Sequence, residues 1–167
     1  MSPTVYSPPV ATYTALGTTT LSGTDTEVLF SSIPSGFRDL VLVADANAAQ
    51  SDLRLRINGD TGSNYNWVYA EGSSLGDTSS APNNQTSIGY FYVTTGQPFV
   101  SVIQFMDYSA TDKHKTLLLR NNKNTERVSM IAGRWASTSA ITSISLFTLP
   151  SGGYTSGTFS LWGSNRL

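Results

Sequence analysis

The chain contains no cysteine, a single histidine and little charge. Without cysteine there are no disulfides, no thiolate nucleophile and no thiolate metal ligands. One histidine, His114, excludes metal centres built from histidine clusters. Charged residues make up 13% of the 167 residues, against about 25% in an ordinary globular domain. A net charge of −1 leaves no basic footprint for nucleic acid or an anionic membrane. No run of 18 or more apolar residues is present, so no membrane-spanning helix is expected. The start, MSPTVYSPPVATYT, has neither a basic stretch nor an apolar one, so no secretory signal is expected. A disulfide-free chain rich in uncharged polar residues suits a protein made in a cytosol and built to persist outside it.

What fills the shortfall in charge is Ser, Thr, Asn and Gly, residues suited to turns and strand surfaces rather than helix faces. The length suits one domain with a sizeable core. Residues 1–16 read as an extended arm whose Pro3, Pro8 and Pro9 favour polyproline-type backbone. Residues 17–167 read as the folded domain. Strand patterns occur at 26–33, 38–46, 53–57, 66–70, 87–94, 99–107, 115–121, 127–135, 141–149 and 158–163. In the second of these, Leu40 and Leu42 share one face and Val41 and Val43 the other. Such a strand is central, or its outer face meets another subunit. Residues 66–70 read as the return strand of a hairpin from 53–57, and 71–86 as a long polar loop. No window shows a helical period of useful length. The fold class expected is all-β, a single antiparallel β-sandwich of jelly-roll-like type.

Three constellations invite a chemical reading. His114, inside TDKHKT, would need burial beside a nucleophile to act as a triad base, and its charged surroundings place it instead at an exposed strand entrance. The carboxylates, from Asp25 to Glu126, sit mostly at strand ends and turns, where Asp belongs for conformational reasons. No pair of them stands in a glycosidase-like motif. The segment LRLRINGDTGSNYNW, residues 53–67, spaces Asn58, Asp60, Gly62 and Asn64 as a calcium loop would. It offers one carboxylate, and the twelfth position from Asn58 is Tyr69 rather than Glu. A turn built on Asn-Gly accounts for it as well. The turn is the preferred reading, with a hard cation at Asp60 left open. The alternating aromatics Tyr65, Trp67 and Tyr69, with Tyr90, Tyr92, Trp135 and Trp162, suit a core or subunit interface better than a sugar-stacking platform. No catalytic residue, cofactor or metal ligand is assigned.

Several of these segments resemble a family of small virion proteins of tailed bacteriophages, including cyanobacterial phages. They are IPSGFRDLVLVADA, LRLRINGDTGSNYNW, NQTSIGYFYV, KHKTLLLRNN and AGRWASTSAITSISLFTLPSGGYTSGTFSLWGS, spanning roughly residues 26–164. The resemblance implies a β-sandwich in a virion component with no enzymatic motif. It points first to a capsid decoration, or cement, protein on the head surface, assembled in the host cytoplasm. Its partner would be the major capsid protein, and a homotrimer is the favoured oligomer. The arm, through Pro3, Tyr6, Pro8, Pro9 and Tyr13, would grip a neighbouring capsomer, and Arg54 and Arg56 would be free for contacts between subunits. The alternative is a tail fibre, collar or baseplate appendage binding a host surface glycan. A polysaccharide depolymerase would need a carboxylate pair that the sequence does not display.

Overall fold

Alternation of apolar and polar side chains along extended backbone buries every second residue, and this period-two pattern organises the chain. The computed structural model describes residues 11–50, 52–73, 76–123, 127–150 and 152–165. Among them are twelve strands and no helix. In chain order these are β1 (Tyr13–Leu21), β2 (Glu27–Phe30), β3 (Leu40–Ala48), β4 (Asp52–Ile57), β5 (Tyr65–Ser73), β6 (Thr78–Ser80), β7 (Ile88–Tyr92), β8 (Pro98–Met106), β9 (Lys115–Lys123), β10 (Arg127–Trp135), β11 (Ile144–Leu149) and β12 (Tyr154–Ser164).

Two antiparallel sheets pack as a β-sandwich, as the patterning leads one to expect. The larger has the order β1-β12-β3-β8-β9-β10-β5-β6 and the smaller β2-β11-β4-β7. Leu40, Leu42, Ile103, Phe105, Leu119 and Phe159 point inward from the large sheet. Val28, Leu53, Leu55, Ile57, Ile88 and Ile144 meet them from the small one. Each such side chain, fully buried, contributes about 1.5–3 kcal/mol. Gly163 lets the Phe37 ring lie against the backbone of β12: a Cβ there would sit 2.3 Å from the ring.

Three expectations change. Tyr13, assigned to the arm, opens β1, so the sheet begins ahead of residue 17. β1 forms because β12 runs the length of 154–164 and offers it a partner edge, Tyr13 to Ser164 through Leu21 to Gly157. Part of the loop at 71–86 is ordered as β6, paired with β5 through Tyr69–Ser80 and Glu71–Thr78. Finally, β5 does not return beside β4. β4 lies between β11 and β7 in the small sheet, whereas β5 lies between β10 and β6 in the large one. The turn between them therefore carries the chain from one sheet to the other. The remaining arm residues Pro3, Tyr6, Pro8 and Pro9 lie outside the described residues.

Candidate interaction surface

The corner at residues 57–65 is where the sequence most resembles a site. Asn58 and Gly59 have φ of 52° and 64°, and the Asp60 amide donates to the Ile57 carbonyl at 3.0 Å. These are the marks of a type I′ turn. The Asn58 side chain bridges to the segment before β11: Nδ2 donates to the Ala140 carbonyl at 2.8 Å, while Oδ1 accepts from the Thr142 and Ser143 amides at 2.8 and 3.0 Å. The Tyr65 hydroxyl accepts from the Ile57 amide at 3.0 Å and faces the Ile57 and Asp60 carbonyls. Burial pushes its pKa up to about 12.

Asp60 is the knot of this corner. One carboxylate oxygen accepts from the Gly62 amide at 2.8 Å; the other accepts from Asn64 Nδ2 at 2.9 Å and Trp135 Nε1 at 2.6 Å. Burial alone would raise the carboxyl's pKa, but the hydrogen bonds from Trp135, Asn64 and Gly62, aided by the positive charge of Arg56, bring it below the ordinary value. The oxygens that a cation would need are directed at N–H groups of the corner itself.

Other ionisable groups lie at the surface or are held by neighbours in the chain. His114 is exposed in the loop between β8 and β9, beside the Lys113–Asp107 ion pair at 3.2 Å. Lys115 is buried, its ammonium donating to the Lys113 and Thr138 carbonyls at 3.0 and 3.3 Å, and burial lowers its pKa. Buried Glu71 is held by Arg127 across the β5–β10 pair. Among the described residues, no three His, Cys, Asp or Glu side chains gather where they could hold a metal.

Arg54 and Arg56 do point outward, from the small sheet, but both are engaged within the chain. Arg54 grips Asp52 in a two-pronged pair, Nε to Oδ1 at 2.8 Å and Nη2 to Oδ2 at 2.7 Å. Its guanidinium occupies the space above Gly89, where a Cβ would come within 2.3 Å of Nη1. The Arg56 guanidinium lies over the Phe147 ring, 4.5 Å from its centroid, a cation–π contact.

The outward face of the large sheet has a different character. Six of the eight exposed large apolar residues among those described lie on it: Tyr13, Val68, Val100, Met106, Val128 and Met130. Val41, Val43, Val102, Leu118 and Trp162 fill the space between them, half-buried. The charged residues that its strands direct outward, among those described, are Asp45, Arg120 and Arg134. A shallow groove of about 310 Å³ opens between Tyr13, Val41 and Trp162. The sequence points to Val41 and Val43 only. The signal for the rest is present at 99–107 and 127–135, where Val100, Val102, Val128 and Met130 sit at the parity expected to be polar.

No family model matches the sequence, and no match emerges among curated proteins.

Proposed function

We propose that the protein is a non-enzymatic structural component of a tailed-phage virion, and specifically a decoration protein that binds the major capsid protein lattice and stabilises the head. The observation that carries this reading is the outward face of the eight-stranded sheet. It is a broad, charge-poor, apolar surface on a chain whose engaged carboxylates and arginines serve its own scaffold. Contiguous apolar surface of more than a few hundred Å² marks an interaction site. Contacts made by such a surface are little screened by salt, which suits a particle that leaves the cell. The arm supplies the grip on the lattice: Pro3, Pro8 and Pro9 pre-extend it, so docking costs less entropy. Its root is fixed, because the Thr12 carbonyl accepts from the Asn165 amide at 2.9 Å and the Ala11 carbonyl from Asn165 Nδ2.

The glycan-binding appendage relies on exposed aromatics. Tyr65, Trp67 and Trp135 are buried, at 0%, 3% and 3% exposure, and are not offered to a sugar, whereas Tyr13 and Trp162 reach the surface. The test is copy number in purified particles, by quantitative gel analysis against the major capsid protein. A decoration protein is present by the hundred per particle; a handful of copies would favour the appendage.

A further inference from the structure

The outward face of the large sheet has a lateral order that its composition does not reveal. β8 runs down its middle, with β3 and β12 on one side and β9 and β10 on the other. The outward charge on the β3 side is acidic: Asp45 points outward from β3. Basic groups lie on the opposite side, Arg120 on β9 and Arg134 on β10. Side-chain bulk is ordered too. One register row runs Trp162, Val41, Gln104, Leu118, Ala132, and the next runs Ser160, Val43, Val102, Arg120, Met130. In each row a large residue at one flank mirrors a small one at the other.

We propose that this face is an interface between two copies of this chain, related by a two-fold axis running along β8. That rotation lays β3 of one copy over β9 of the other, and β12 over β10. Trp162 then meets Ala132, and Met130 meets Ser160. Asp45 comes within an arginine's length of Arg120. Every contact is made twice, as an isologous interface requires. Seven strands about 4.8 Å apart, with outward residues about 7 Å apart along each, cover on the order of 800 Å² per copy. That is about what a standard interface buries on each partner. The centre, at Val43, Val100, Val102 and Leu118, is apolar, and the flank at Thr18, Thr20, Thr158 and Ser160 is polar. Two apolar sheet faces pack in this way about 10 Å apart. The inference rests on the assembly role proposed above and deepens it: the face joins two copies and the arm is left to grip the lattice, with a two-fold at this surface where the resemblance implied a trimer.

The experiment is sedimentation equilibrium of the full chain at micromolar concentration, with Met130→Glu, Leu29→Glu and the charge reversals Asp45→Arg and Arg120→Asp. The wild type and Leu29→Glu give a two-copy mass, and Met130→Glu gives one copy with an unchanged circular dichroism spectrum. Each charge reversal weakens association about tenfold, and combining the two in one chain restores it. A one-copy or three-copy wild-type mass, or a two-copy mass for Met130→Glu, would overturn the proposal. If the free chain is a single copy and Met130→Glu nevertheless fails to decorate particles, the face docks on the lattice instead. The inference then fails while the decoration reading stands.

Discussion

The two outer faces of the sandwich are built on opposite plans. The small sheet turns outward Asp52, Arg54, Arg56 and Phe147, tied to one another by an ion pair and a cation–π contact, with Leu29 and Leu149 as its exposed apolar residues. The large sheet turns outward valines, methionines, Leu118 and Trp162, which no other described residues cover. The inner sides of both sheets share one hydrophobic core, so folding alone does not explain the difference between their outer sides. A face whose polar groups satisfy each other has little to gain from a partner. A face of exposed apolar groups gains by burial, about 25 cal/mol for each Å² removed from water. On the role proposed above, the contrast separates the part of the surface that finishes the monomer from the part that an assembly would cover.

If that division is right, mutations on the small-sheet side move stability, and mutations on the large face move association. The largest effect on stability is expected at Asn58, which anchors the corner to the segment before β11. Asn58→Ala removes the bonds to Ala140, Thr142 and Ser143 from a residue at positive φ. Its cost is about 2–4 kcal/mol in urea unfolding, with oligomer mass unchanged. Arg54→Ala comes next. It leaves Asp52 without its partner and exposes Gly89, lowering stability by about 1–2 kcal/mol. If it changed association more than stability, Arg54 would belong to an interface after all.

The smallest effect is that of acid on the corner, which belongs to neither face. The Asp60 carboxyl titrates below its ordinary value when folded. Its contribution is therefore complete above the unfolded value of about 3.9 and fades as pH falls through the lower folded value. The stability difference between the wild type and Asp60→Asn should be flat above about pH 5 and shrink below about pH 4. A difference that grew on acidification would contradict the hydrogen bonding from Trp135.

The inward face was legible because alternation is a local signal. Leu40, Leu42, Leu53, Leu55 and Ile57 are all buried, as their spacing leads one to expect. The Asn-Gly turn was equally plain, since positive φ is written into those two residues. Where the turn leads was not. A type I′ turn serves a hairpin well, but here Tyr65 and Asp60 lock it as a passage between sheets, and that decision rests on distant partners such as Trp135. β1 carries little local signal, because its alternation is shifted by an irregularity between Ala15 and Gly17. The lateral order of Asp45, Arg120, Trp162 and Met130 depends on the strand order of the large sheet, in which β12 lies beside β3 and β3 beside β8. No local pattern carries that.

Under the decoration role proposed above, the division between the two faces is tested most directly by adding the protein to particles that lack it. Occupancy would be compared for Met130→Glu on the large face and Leu29→Glu on the small one, both exposed and both apolar in the native chain. The account expects Leu29→Glu to bind as the wild type does and Met130→Glu to lose its place. Equal occupancy for the two, or loss confined to Leu29→Glu, would contradict it.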